Sequence, residues 1–61
     1  MVKAAGYDTA RLILEVEFPS GYVYRYQGVE PHVFHAFMTA ASKGRFFNDH
    51  IRDDYDCERV E

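Results

Sequence analysis

A tight turn between two alternating segments constrains the fold of this chain most strongly. Residues 10–18 alternate in polarity, and their apolar side chains share one face of an extended chain: Leu12, Leu14, Val16 and Phe18. Residues 22–27 carry a tyrosine at every second position: Tyr22, Tyr24 and Tyr26. Because successive side chains of a strand point to opposite sides of a sheet, the two segments are predicted strands of a β-hairpin joined by residues 19–21.

The length of the turn decides where the tyrosines lie. With a three-residue turn, Gly21 takes the left-handed position, the tyrosines share the apolar face, and Glu15 lies opposite Arg25 as a favourable cross-strand pair. With a two-residue turn the pairing slips by one residue, and the tyrosines form an exposed strip of the kind that stacks RNA bases. We favour the three-residue turn because it retains the ion pair and does not ask Pro19 to donate an N–H to the ladder.

Two helices are predicted after the hairpin. Pro31 suits the first position of a main helix, whose end is predicted at Ser42-Lys43-Gly44. Its apolar stripe should cover the tyrosine-bearing face of the hairpin: Val33, Phe34, Phe37, Met38 and Ala41. A short second helix is predicted from apolar residues spaced by four: Phe47, Ile51 and Tyr55.

The two ends of the chain are less patterned. Residues 2–7 could add an edge strand, and residues 56–61 are predicted to be a frayed acidic tail. The predicted fold is therefore α+β, with a small antiparallel β-meander of two to three strands, one main helix packed on one face and a short C-terminal helix. We expect a single domain over residues 1–61, with no room for a second.

Composition and charge restrict the partners. Cys57 is the only cysteine, and no apolar run is long enough to span a membrane, so a reducing, cytoplasmic setting without a membrane partner is expected. Residues 1–47 carry a net charge of +1 and residues 48–61 a net charge of −4. An acidic chain is a poor general binder of phosphate backbones, which leaves only a small basic patch at Lys43, Arg45 and Arg52.

Residues that could support catalysis or metal binding are sparse. His32 and His35 lie three apart on the predicted helix and could share an ion, but no third ligand is evident, and two exposed histidines are the ordinary alternative. Cys57 lies between Asp56 and Glu58, whose negative charge disfavours the thiolate. We therefore expect no catalytic residue, no metal and no cofactor.

Taken together, the residues resemble the KTSC domain family. The resemblance rests on Gly6-Tyr7-Asp8, the strand from Leu12 to Phe18, Gly21, Tyr24-x-Tyr26, Val29-x-Pro31 and Ser42-x-Gly44-x-x-Phe47-Asn48-x-x-Ile51-Arg52-x-x-Tyr55. The family contains small bacterial or phage proteins and a module at the C-terminus of some lysyl-tRNA synthetases. It implies no enzyme activity, and its association with a synthetase suggests RNA binding.

The sequence thus indicates a non-catalytic binding module. RNA, either tRNA or single-stranded, is the favoured partner, and the expected contact residues are Lys43, Arg45, Asn48, Arg52, Tyr24 and Tyr26. The alternative is a protein-interaction module that docks through the exposed edge of the hairpin or through the acidic tail. The sequence leaves the oligomeric state open.

Overall fold

The structure, a computed structural model, describes residues 2–61 and forms a four-stranded antiparallel sheet covered by helices; Met1, the first residue of the predicted domain, lies outside the described part. The strands are β1 (Ala4–Asp8), β2 (Ile13–Glu17), β3 (Val23–Tyr26) and β4 (Cys57–Arg59), and they lie in this order across the sheet. The chain between β3 and β4 forms α1 (Pro31–Thr39) and α2 (Lys43–Phe46), and α2 continues as a π-helical turn (Phe47–Ile51). The predicted α+β meander is confirmed, with four strands where two to three were expected.

The three-residue turn of the hairpin is confirmed. Gly21 has a φ of 95°, a conformation that glycine adopts without steric cost. Its N–H donates to the carbonyl oxygen of Phe18 at 2.8 Å, and the N–H of Phe18 donates to the carbonyl oxygen of Tyr22 at 3.0 Å. Glu15 therefore lies opposite Arg25, whose Nε donates to the Glu15 carboxylate at 2.8 Å.

The strand predicted over residues 10–18 begins later than expected, at Ile13. Asp8 explains the delay, because its carboxylate accepts the N–H groups of Ala10 at 3.0 Å and Arg11 at 3.1 Å and so holds the chain in a turn. Leu12 follows with a φ of 58°, in the left-handed region. Its carbonyl oxygen accepts the N–H of Val29 at 2.9 Å, which ties this turn to the segment after β3.

The core lies between the sheet and the helical segments. Its buried residues come from the sheet, from the loop after β3, from α1 and from the π-helical turn: Leu14, Val16, Tyr26, Val29, Phe37, Phe47 and Ile51. α1 contributes one fully buried residue, Phe37, while Met38 of the predicted stripe is exposed. The π-helical turn therefore covers the sheet as much as the longer helix does.

The predicted end of α1 is wrong. α1 ends at Thr39, and Ser42 begins the next helix as its N-cap, with its hydroxyl oxygen accepting the N–H of Arg45 at 3.3 Å. Gly44 consequently lies in the first turn of α2 and not at a helix C-cap. A serine in this position satisfies an N–H that has no partner within the helix, and this favours starting a helix over ending one.

The prediction of a frayed tail over residues 56–61 is also wrong, since residues 57–59 form β4. Cys57 lies opposite Tyr26 and Arg59 lies opposite Tyr24, and the N–H of Gln27 donates to the carbonyl oxygen of Asp56 at 2.9 Å. A strand ladder is made by backbone groups, so a segment with only exposed side chains can still complete the edge of β3.

Candidate functional site

A groove of about 420 Å³ opens between β3, β4 and the end of the π-helical turn. We call it the tyrosine groove, and its lining consists of Phe18, Ser20, Tyr22, Tyr24, Tyr26, Phe47, Arg52, Asp53 and Cys57. Tyr24 and Tyr26 alternate along β3, and Cys57 of β4 lies opposite Tyr26, so these three side chains lie on one face of the sheet. That face also carries the core, so the groove is a continuation of the core that opens to solvent.

Exposure of the tyrosines rises steadily along the groove. Tyr26 is 3% exposed, Tyr24 is half-buried and Tyr22 is 48% exposed. Edge-on contacts hold the inner rings, with centroid distances of 5.4 Å between Tyr26 and Phe47 and 5.8 Å between Tyr24 and Phe18. Burial raises the pKa of the Tyr26 phenol to about 12, so its hydroxyl stays protonated well into the alkaline range. The groove thus has a fixed inner floor and an aromatic rim in water.

Two charged side chains of the groove lack an intramolecular partner. Arg52 and Asp53 make no side-chain hydrogen bond or ion pair within residues 2–61, where the ion pairs are Lys3–Glu17, Glu15–Arg25 and Arg45–Asp49. A second arginine lies at the rim, where the Arg59 guanidinium is 4.7 Å from the centre of the Tyr22 ring. The groove therefore offers free donors and a free acceptor beside aromatic faces.

The remaining predicted contact residues lie in a different place. Lys43, Arg45 and Asn48 line a hollow of about 610 Å³ beside α2, which we call the basic hollow. Arg45 is partly neutralised there, because its Nε lies 3.7 Å from the carboxylate of Asp49. The structure thus groups Tyr24 and Tyr26 with Arg52 in one depression and the other three predicted residues in a second.

The π-helical turn explains this separation. Asn48 and Arg52 are four residues apart and would share a face of an α-helix. The N–H of Arg52 instead donates to the carbonyl oxygen of Phe47, five residues earlier, at 2.9 Å. This extra residue in the turn rotates Arg52 away from Asn48 and towards β3.

Sequence reasoning missed several residues of the groove and its rim: Phe18, Tyr22, Asp53, Cys57 and, at the rim, Arg59. The signal for the last two was their spacing of two residues, which matches the spacing of Tyr24 and Tyr26 on the strand they pair with. The acidic residues around Cys57 and Arg59 instead led to the prediction of a frayed tail. Cys57 is exposed, and its thiol makes no disulfide.

The surfaces expected for a docking protein also differ from expectation. Within residues 2–61 the hairpin has no free edge, because β1 pairs with β2 and β4 pairs with β3. The acidic tail is part of the sheet and not a free appendage. In the same part of the chain no group of three or more histidine, cysteine, aspartate or glutamate side chains could hold a metal ion. None of the described helices is long and apolar enough to cross a membrane.

Comparison with known proteins identifies the family. Residues 1–55 match the model of the KTSC domain. This chain belongs to the KTSC domain family. The crystal structure of a KTSC domain protein from Yersinia pestis superposes with a TM-score of 0.91 at 34% identity, over 98% of this chain and 84% of that one. The resemblance drawn from the sequence is confirmed.

Two relatives show the settings in which the KTSC domain occurs. An uncharacterized protein of Stutzerimonas stutzeri (strain A1501) is 51% identical over 47 residues, which are 77% of this chain and 66% of that protein. The lysine–tRNA ligase of Nostoc punctiforme is 35% identical over 60 residues, which are 98% of this chain and 11% of the ligase. The KTSC domain thus occurs both in short proteins and as a small part of a tRNA ligase.

Proposed function

We propose that this KTSC domain is a non-catalytic module that binds single-stranded RNA in the tyrosine groove. The observation that supports the proposal most is the combination of graded aromatic rings with the unpaired Arg52 and the rim Arg59. Stacking of a base on an aromatic side chain contributes about 1–3 kcal/mol, and arginine supplies the contacts to phosphate. A relative that is a lysine–tRNA ligase adds weight to RNA as the partner.

The shape of the groove favours unpaired nucleotides over a duplex. Its volume of about 420 Å³ lies within the range of small-molecule clefts, about 300–1,000 Å³. Bases in a duplex are stacked on each other and cannot reach an aromatic side chain, whereas unpaired bases can be splayed out onto one. The groove therefore suits one or two nucleotides of a single strand.

The charge of the groove sets the expected salt dependence. Each phosphate contact on a single strand contributes about −0.7 to the slope of log affinity against log salt, so contacts from Arg52 and Arg59 predict a slope near −1.4. This is a shallow slope, which agrees with a protein whose net charge is −3. Most of the affinity must then come from stacking.

The lining of the groove favours binding over catalysis. Its one thiol, Cys57, has no histidine among the described residues that line the groove. A nucleophile of this kind needs a neighbouring base to become reactive.

The sole cysteine provides a direct test. We expect a single-stranded RNA of mixed sequence to slow alkylation of Cys57, while the same RNA annealed to its complement leaves the rate unchanged. The affinity, measured by fluorescence anisotropy, should fall at least about fivefold in Tyr22→Ala. Met38→Ala is the matched control, because Met38 is the other large exposed apolar side chain and lies on α1.

The proposal fails if single-stranded RNA neither binds nor protects Cys57, or if the duplex binds as tightly as the single strand. It also fails if Tyr22→Ala and Met38→Ala have the same effect. Circular dichroism spectra of both variants should match that of the parent protein, since both substituted side chains are exposed.

A further inference from the structure

One wall of the tyrosine groove carries a donor and an acceptor next to each other. Arg52 and Asp53 are consecutive residues at the end of the π-helical turn, and both line the groove. Neither side chain has a hydrogen-bond or ion-pair partner in residues 2–61. Several other charged side chains of these residues also lack a partner, but only Arg52 and Asp53 among the charged side chains line the groove. The wall therefore has hydrogen-bonding capacity that the folded chain does not use.

We infer that the tyrosine groove binds one unpaired guanine in preference to the other three bases, an inference that rests on the proposed function. Guanine presents two adjacent donors, N1–H and the N2 amino group, and a carboxylate such as that of Asp53 accepts from both. It also presents two adjacent acceptors, O6 and N7, which match the guanidinium fork of Arg52.

The other bases leave part of this wall unsatisfied. Adenine places the acceptor N1 where guanine has a donor, so that a carboxylate meets a lone pair. Uracil has a single N–H between two carbonyl oxygens, and cytosine offers one amino group beside an acceptor nitrogen. A buried or stacked polar group that loses its partner reduces affinity, and this loss is the basis of the discrimination.

Three aromatic residues position the base. The exposed ring of Tyr22 and the half-buried ring of Tyr24 provide stacking faces, and Phe47 packs edge-on against Tyr26 at the buried end of the groove. The guanidinium of Arg59 lies over the Tyr22 ring at the rim, where it can contact the phosphate of the nucleotide whose base enters the groove. Stacking is tolerant of base identity, so the preference comes from Arg52 and Asp53.

The test compares four pentaribonucleotides that differ only in the central base: UUGUU, UUAUU, UUCUU and UUUUU. We expect UUGUU to bind at least about fivefold more tightly than each of the others, as measured by the quenching of tyrosine fluorescence. Replacing the central guanosine by inosine removes the 2-amino group alone and should lose part of the preference. Replacing it by 7-deazaguanosine tests the contact from Arg52 to N7.

Asp53→Asn is the decisive variant, with Asp54→Asn as its control. Both substitutions remove one negative charge from an exposed side chain, but Asp54 does not line the groove. Asp53→Asn should reduce the ratio of UUGUU to UUUUU affinity at least about twofold without weakening UUUUU, and the contacts from Arg52 to O6 and N7 should retain the rest of the preference. Asp54→Asn should leave the ratio unchanged.

The inference is overturned if the four pentamers bind with equal affinity, or if the two asparagine variants behave alike. Those results leave the proposed function standing, because its own tests concern binding of single-stranded RNA against a duplex, protection of Cys57 and the effect of Tyr22→Ala, none of which depends on base identity. We expect 5′-GMP to bind more weakly than UUGUU, since it lacks the flanking phosphates. Binding of 5′-GMP as tight as that of UUGUU would overturn RNA as the source of the guanine.

Discussion

The tyrosine groove and the basic hollow each place an arginine from the same helical segment at a surface depression, yet the two arginines differ in their surroundings. In the basic hollow, Arg45 lies 3.7 Å from the carboxylate of Asp49 and is almost fully in water. In the tyrosine groove, Arg52 has no acidic partner within residues 2–61 and lies beside aromatic rings. A cation next to apolar surface and free of a counter-charge interacts more strongly with a ligand than a paired, solvated one.

The solvent-exposed face of the sheet is a third surface on which the pairing of charged side chains can be compared. Its charges also pair with one another, as Glu15 does with Arg25 and Lys3 with Glu17. Exposed pairs of this kind contribute about 0–1 kcal/mol and leave little for a partner to use. Counting charges along the sequence therefore says less about a binding surface than finding which charges the fold leaves unpaired.

The largest effect is expected from Phe47→Ala, which tests whether the tyrosine groove depends on the core. Phe47 is 6% exposed and contacts the rings of both Phe18 and Tyr26. Truncating a buried phenylalanine costs about 3–5 kcal/mol, a large fraction of the stability of a 61-residue domain. Denaturation with urea should show this loss, whereas Met38→Ala, an exposed site, should change stability by less than about 0.5 kcal/mol.

The next largest effect is a loss of folding stability at alkaline pH, which we expect from Tyr26 at the buried end of the groove. The pKa of Tyr26 is raised to about 12 in the fold, against about 10 in the unfolded chain. The unfolded state therefore loses its proton first, so the stability that Tyr26 contributes is complete below pH 10 and is lost as the pH rises towards 12. This loss amounts to at most about 3 kcal/mol.

Tyr26→Phe isolates that contribution, because it removes the titrating hydroxyl and keeps the ring. The difference in unfolding free energy between Tyr26→Phe and the parent protein should change by the predicted amount between pH 9 and pH 12. An unchanged difference across this range would contradict the assignment of a raised pKa to Tyr26.

Arg52→Gln and Arg45→Gln compare the two depressions directly. In a single strand without guanine, such as UUUUU, Arg52 is free to contact phosphate. We therefore expect Arg52→Gln to weaken binding of UUUUU by about tenfold and to make the salt slope shallower by about 0.7. Arg45→Gln should change the affinity by less than about twofold. Arg11→Gln, which removes a positive charge away from both depressions, is the control. Equal losses of RNA affinity in Arg52→Gln and Arg45→Gln would show that RNA contacts the basic hollow as much as the tyrosine groove.

The smallest effect is expected from Ser42→Ala, which weakens the helix under the basic hollow and leaves the groove in place. Loss of an N-cap hydroxyl costs about 1 kcal/mol, and Ser42→Asp should retain most of the stability because aspartate also caps helices. Thermal unfolding measures both variants. RNA affinity of the folded Ser42→Ala protein should remain that of the parent, and a parallel loss of affinity would show that the two depressions act together.

The hairpin was predictable because its signals are local. Pro19 and Gly21 specify the turn, and the turn together with the Glu15–Arg25 pair specifies the register. Tyr24, Tyr26 and Arg52 were predicted as contact residues, and the structure brings them together. Lys43, Arg45 and Asn48 lie apart from them because of the π-helical turn, which has no local signal in the sequence.

Two parts of the fold could not be derived from the sequence pattern. The π-helical turn forms where Phe47 and Ile51 both enter the core, and such a turn is favoured by tertiary packing over helix propensity. β4 is held by backbone hydrogen bonds, and its three side chains are all exposed, so it carries no apolar alternation. These two elements supply Arg52 and Cys57 to the groove and Arg59 to its rim.

The exposed side chains of β4 have a consequence for motion. A strand of three residues that buries no side chain separates from its neighbour at low free-energy cost, and its departure would remove the wall that carries Cys57 and Arg59. Binding and strand closure are then thermodynamically linked. A ligand that contacts Cys57 or Arg59 must shift the pairing equilibrium of β4 by the same factor by which pairing of β4 raises the affinity for the ligand. Slower hydrogen exchange of the backbone N–H groups of Cys57–Arg59 in the presence of the ligand would measure that factor.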